Sequence, residues 1–153
     1  MTTTPTRETV EDVILGRFNE MWIEPTNGPT SIVGYVPQVH WPDREETGIP
    51  PLDKHWCRYV FQTTSRVQRT FRGPYGTRWQ GNGNVIVEHF FSKLTLEAGD
   101  NTRILGYAED IYIEPALNGC IWFREPRTIE VEAEENWFRG NTSAQWEYDQ
   151  IIT

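Results

Sequence analysis

Three histidines, two cysteines and 22 carboxylates are the groups through which this chain could do chemistry. His55 and Cys57 stand two apart, which puts both side chains on one face of a strand, and His89 or Cys120 could join them around a metal. The spacing matches no structural zinc pattern, and lone His and Cys on strands are ordinarily packed residues. Glu130, Glu132, Glu134 and Glu135 could supply the paired carboxylates of general acid–base catalysis. Their alternation with Ile129, Val131 and Ala133 reads first as a solvated sheet face, second as an interface. A nucleophilic triad lacks its elbow, because no Ser sits in a GxSxG turn. There is no GxxxxGK[ST] phosphate loop, and Gly81-Asn82-Gly83 opens a strand rather than a helix, so it reads as a turn or bulge. The expectation is a protein that is not an enzyme, with no catalytic residue, no metal site and no cofactor.

What stands out is where the charge sits. The chain carries 22 acids against 14 bases, a net of −8. Residues 1–53 carry a net of −6, residues 54–96 a net of +6, and residues 97–153 a net of −8. From Lys54 to Arg78 there is no Asp or Glu, and the bases there are Lys54, Arg58, Arg66, Arg69, Arg72 and Arg78. Twelve of the fourteen bases are Arg, whose planar donor fork suits interfaces and carboxylate or phosphate partners. Such a segment can pair with acids of its own fold, pair between copies, or face a polyanion. Aromatics interleave with it at Trp56, Tyr59, Phe61, Phe71, Tyr75 and Trp79, as in the stacking grooves of single-strand binders. The same aromatics are also what a small sheet needs for its core, and the overall charge opposes nucleic-acid wrapping.

These residues must be positioned by a single domain. A chain of 153 residues supports one, and at that size it needs no disulfide or metal staple. The expected division is a flexible N-terminus over 1–8 and one domain over 9–153. No apolar run approaches the ~20 residues of a membrane span, the N-terminus lacks the apolar core of a secretory signal, and two cysteines suggest reduced thiols in a cytosol. Val10, Val13, Ile14, Phe18, Met21 and Trp22 recur at helical spacing, which predicts a helix over Thr9–Trp22 capped by Thr6 or Thr9. Ser31–Trp41 reads as strand-like, Pro42–Lys54 as a long loop, and His55–Thr64 as a strand with Trp56, Arg58, Val60 and Gln62 alternating against Cys57, Tyr59 and Phe61. After a turn at Gly73-Pro74-Tyr75-Gly76, strand returns over Arg78–Phe91, interrupted at Gly81-Asn82-Gly83. A second helix runs from an Asp100 cap to about Glu114, bearing Ile104, Leu105, Ala108, Ile111 and Tyr112. Following the Asn118-Gly119 turn, Ile121–Arg124, Thr128–Ala133 and Ala144–Ile152 read as strands, with Asn141-Thr142-Ser143 as a hairpin loop. The order predicts an α+β fold: a mainly antiparallel sheet with two helices packed on one face.

With that order in hand, the stretch WCRYVFQTTSRVQRTFRGPYGTRWQGNGNVIVEHFFS resembles the centre of the siphophage tail terminator family, the minor tail protein U type of phage lambda. Trp56-Cys57-Arg58-Tyr59-Val60 is similar to that family's first central strand, of “wvRv” flavour. Gly83-Asn84-Val85-Ile86-Val87-Glu88-His89-Phe90 is similar to its third, read as “Glliiqvf”. The likeness extends over roughly residues 9–152, through an opening amphipathic helix, a proline-bearing loop from Val39 to Pro51, a second helix and two closing strands. The loop before the second helix departs from the family's Pro-x-Gly-x-Gly, having only Gly99.

The resemblance implies structural work and a tail-terminator-like fold. Such proteins form a homo-oligomeric ring, usually a hexamer, that caps the phage tail tube, ends its polymerisation and presents a surface to the head-completion or connector protein. The implied place is the virion tail or neck, assembled in the cytoplasm of the bacterial host, with DNA only passing through the channel and no membrane partner. Within such a ring the basic segment would meet acidic strands of the next copy. Arg58, Arg66, Arg69 and Arg72 are the expected contact bases, and Glu130, Glu132 and Glu134 their partners. Another head–tail joining ring, or a small single-stranded nucleic-acid-binding domain, are the alternative readings.

Overall fold

The computed structural model describes residues 7–42, 50–68, 77–113 and 121–152. It is built from α1 (Arg7–Trp22), α2 (Thr30–Val33), β1 (Gln38–His40), β2 (Trp56–Gln68), β3 (Thr77–Ser92), α3 (Asp100–Asp110), β4 (Ile121–Glu134) and β5 (Trp137–Ile152). The strands form one sheet in the order β1-β2-β3-β5-β4, antiparallel except for the short parallel pairing of β1 with β2. This is the α+β arrangement of a mainly antiparallel sheet that the element order predicts. None of the described helices is long and apolar enough to cross a membrane.

In α1 the four residues Val10, Ile14, Phe18 and Trp22, spaced four apart, are all buried. Phe18 lies against Tyr59 of β2 at 4.9 Å between rings, and Trp22 against His89 of β3 at 5.7 Å. The helix ends where the Glu24 carboxylate accepts the backbone N–H groups of Thr26 and Asn27, which also holds its pKa below the usual range. The indole N–H of Trp22 donates to the Pro37 carbonyl at 3.0 Å and ties the following segment to the helix end. In α3, Ile104, Leu105 and Ala108 are buried, and Ile111 and Tyr112 continue the stripe in the turn beyond. Leu105 sits directly over Gly140 of β5, where a Cβ would lie 2.9 Å from its Cδ1. Both helices therefore cover one sheet face, the face of Cys57, Tyr59, Val85, Val87, Ala144, Trp146 and Tyr148. Each Val among them taken from water contributes roughly 1.5–3 kcal/mol before the entropy of ordering is counted.

Several local expectations differ from what the fold adopts. Within Ser31–Trp41 only Gln38–His40 is strand; Thr30–Val33 is one helical turn closed by Gly34 in the left-handed region at φ 79°, which lets Ile32 and Val33 reach the core. The α3 cap is Gly99, at φ 87° and with no side-chain bond, rather than Asp100, which is the first helical residue and pairs with Arg103 at 3.7 Å. The helix closes at Asp110 rather than near Glu114. Strand β3 runs unbroken through Gly81-Asn82-Gly83, because the side chains of Trp146 and Tyr148 on β5 lie across those glycines. A Cβ at Gly83 would run into the Gln62 carbonyl and stand 2.5 Å from the Trp146 ring, so glycine is needed for close approach rather than for a turn. Asn141-Thr142-Ser143 lies mid-strand in β5, and the hairpin turn is Glu135-Asn136. Residues 121–134 form one strand with a bulge at Glu125-Pro126, Glu125 taking φ 49°. The turns at Gly73–Gly76 and Asn118-Gly119, the Thr6 cap and Cys120 lie outside the described residues.

Candidate functional site

Cys57, His55 and His89, three of the groups that could have carried chemistry, are taken up in packing. Cys57 and His89 are cross-strand partners on the covered face, yet each is fully buried. Burial pushes the Cys57 thiol up and the His89 imidazole down to about 3, and His89 Nε2 meets the Thr142 hydroxyl at 3.2 Å. His55 Nδ1 accepts the backbone N–H of Ser92 at 2.8 Å, and burial lowers its pKa against a smaller opposing pull from Asp100. No group of three or more metal-ligating side chains gathers among the described residues. Tyr59 and Tyr112 join hydroxyl to hydroxyl at 2.9 Å inside the core, and burial raises both phenols. Of the aromatics interleaved with Arg, Tyr59 is thus a core residue and Phe61 stacks on Trp146 at 4.9 Å. Phe71 and Tyr75 lie outside the described residues.

The charged residues fall into a clearer geometry. Strand β2 carries Arg58 and Arg66 and no acid, whereas β4 carries Glu125, Glu130, Glu132 and Glu134 against Arg124 and Arg127. In the order β1-β2-β3-β5-β4 these two strands lie toward opposite margins, three inter-strand spacings or roughly 14 Å apart. β1 pairs β2 only at Trp56, Cys57 and Arg58, so the outer edge of β2 from Tyr59 to Gln68 has no strand partner among the described residues. The outer edge of β4 has none either.

Register separates the expected contact residues further. Arg58 is opposite Glu88, with which it forms an ion pair on the face away from the helices. Arg66 is opposite Gly81 on the helix-covered side, its guanidinium 5.1 Å from the Trp79 ring centre. Their spacing of eight would place them on one face of a regular strand. The irregularity between Thr63 and Ser65 inserts one residue and turns everything beyond it over. Glu130 lies opposite Gly140 on the helix side of the sheet and is exposed, whereas Glu134 lies opposite Trp137 on the other face and pairs with Arg139 at 2.6 Å. Across the sheet, Arg58 is level with Ile129 through Glu88 and Asn141, and Arg66 is level with Ile121 through Gly81 and Tyr148. Arg58 therefore stands at the level of the acidic end of β4, and Arg66 roughly 23 Å further along the strand direction. Among the described residues Glu130 and Glu132 have no ion-pair partner. Arg69 and Arg72 lie outside the described residues.

The uncovered face has a feature that sequence alone did not single out. Trp56 and Phe90 stack at 3.9 Å with their planes within 6°, and the Arg139 guanidinium lies 4.0 Å from the Phe90 ring centre. His40 adds to the row at 4.6 Å from Trp56, and Trp137 closes it edge-on. Its signal was the repeat of aromatics on alternate positions of strands whose other face already accounts for the core.

No protein-family model and no curated protein matches this chain. Eleven solved chains match it, one with a TM-score of 0.60 and 13% identity, covering 94% of this chain and 97% of that one. What this chain is similar to is therefore a fold: a five-stranded, mostly antiparallel sheet with helices laid on one side.

Proposed function

We propose that this chain is a structural subunit of a phage tail that closes into a hexameric ring, caps the tail tube, ends its polymerisation and offers the surface to which a head-completion protein binds. The observation that carries the reading is the placement of a basic strand and an acidic strand toward opposite margins of one sheet. A ring is a head-to-tail assembly, so one margin of each copy must complement the other margin of the next. Self-pairing of like margins would bring acids against acids on β4. Complementary charge steers the encounter and sets its register more than it sets affinity. Cys57 and His89 are buried and His55 accepts the Ser92 backbone N–H, so these three groups serve packing, which supports a structural role.

Light scattering across concentration, with negative-stain images of the same sample, tests the reading. The expected result is a closed ring near six subunits, alone or on purified tail tubes, that weakens as salt is raised. Co-sedimentation with tubes identifies a terminator, whereas binding only to the portal side identifies a head–tail joining ring. A protein that stays monomeric both alone and with tubes overturns the proposal. Salt-sensitive binding to oligonucleotides in that monomer would favour a single-strand-binding domain.

A further inference from the structure

We infer that neighbouring copies join by strand addition, the outer edge of β4 of one copy pairing antiparallel with the outer edge of β2 of the next, which has no strand partner among the described residues; the inference rests on the ring reading and names its joint. Strand direction already permits it. β2 is antiparallel to β3, β3 to β5 and β5 to β4, so β4 runs opposite to β2. A copy carried round a ring axis keeps its orientation along the margin, and its β2 arrives antiparallel to the β4 it meets. The helices of successive copies then stay on the same side of one continuous sheet.

The lengths also agree. Between the level of Tyr59 and the level of Arg66 the inner strands use seven residues each, Gly81–Val87 on β3 and Thr142–Tyr148 on β5. Over those rows β2 uses eight, Tyr59–Arg66, because of its bulge at Thr64. β4 also uses eight, Ile121–Thr128, because of its bulge at Glu125-Pro126. Each margin is longer by one residue than the strands inside it, and the two match each other. Beyond Tyr59, β1 lies against β2 and ends the free edge, so β4 past Thr128 must leave the pairing there. That leaves Glu130 at the level of Cys57 of the neighbour, with Glu132 beyond it on the side of Lys54. Lys54 is exposed, 5.3 Å over the Tyr35 ring, and the two glutamates have no ion-pair partner among the described residues. The acids are thereby matched to the base end of β2 near Lys54 rather than to Arg66.

Two readouts test the joint on the full chain. Val60 and Arg127 are level with each other across the sheet, through Ile86 and Ser143, on the uncovered face. In a Cys120→Ser background, oxidised Val60→Cys/Arg127→Cys protein is expected to run as a ladder of covalent multimers, while each single variant stays monomeric without reductant. Amide hydrogen exchange needs no assumption about register. Residues 59–66 and 121–128 are expected to exchange ~10-fold slower or more in the ring than in the subunit. A ring that forms with neither slowed exchange in both segments nor a ladder overturns the strand joint and leaves the ring reading standing. Cross-linking of Val60→Cys alone, or of Arg127→Cys alone, indicates like-edge pairing and also overturns it. Absence of any ring, alone or on tubes, removes both.

Discussion

On the helix-covered face of the sheet, Tyr59, Trp146 and Tyr148 are at most 2% exposed and pack against Phe18, Trp22, Leu105 and Tyr112. On the other face of the same strands, Trp122 is 37% exposed and Ile129 51%. The charges there are paired across strands, Arg58 with Glu88, Arg124 with Glu147 and Arg139 with Glu134. Both faces carry aromatics, but only one removes them from water against a second layer. Fold stability therefore resides in one set of alternate positions, and the charge pattern is largely free of that duty. Exposed ion pairs contribute little to stability, with typical values of ~0–1 kcal/mol, so their arrangement can answer to something other than folding.

Trp146→Ala should cost about 3–5 kcal/mol in urea denaturation, because it empties the space over Gly83 and beside Phe61. Trp122→Ala on the other face should stay within ~0.5 kcal/mol of the parent. Equal losses would mean that the two faces share the core. Gly83→Ala should fall between them, at about 1–3 kcal/mol, since the Gln62 backbone cannot yield to a Cβ.

The pH dependence of stability sharpens the covered side. Folded His89 stays neutral down to about 3, whereas the unfolded ring takes a proton near 6.5. Between those values the unfolded state binds the extra proton. The contribution is therefore fully present above 6.5 and is lost as pH falls, by up to about 1.4 kcal/mol per unit. His55, also lowered by burial, acts in the same direction. Urea midpoints of the parent and of His89→Leu, compared from pH 7 to 5, should show a flatter acid limb in the variant. Parallel limbs would mean that His89 is reached by water in the fold.

The smallest effect on the subunit should come from the margin. Glu130→Lys/Glu132→Lys should move the unfolding midpoint by no more than ~0.5 kcal/mol, yet weaken assembly and reverse its salt dependence. A large loss of subunit stability would show that these acids serve the fold, and would remove the division between the faces and the margins.

The parts of this fold legible in the sequence are those in which one element meets one side. The α1 stripe Val10, Ile14, Phe18, Trp22 and the β2 alternation around Cys57 and Tyr59 appear in the structure as spaced in the chain. Gly81-Asn82-Gly83 was not legible as strand, because its reason lies far along the chain, in Trp146 over Gly83 and Tyr148 over Gly81. Asn141-Thr142-Ser143 has turn-forming residue types, but Thr142 is buried as the partner of His89 in mid-sheet. In β4 the apolar set misleads in direction. Ile129 and Val131 point to the uncovered face and Glu130 to the helix side, where Leu105 of α3 covers the neighbouring Gly140 and leaves Glu130 exposed.

For the margins, the division of labour is similar. The sequence by itself determined that bases gather between Lys54 and Arg78, that acids gather toward the C-terminus, and that alternate residues of β2 and β3 must be buried. These follow from composition and from a side-chain period of two, which are local. Only the tertiary structure decided that β2 and β4 lie toward opposite margins and that Arg58 and Arg66 face opposite ways. It also decided that Arg58, rather than Arg66, stands level with the acids. Strand order and register are set by which distant residues pack best together. A single inserted residue at Thr64 is enough to turn the rest of a strand over.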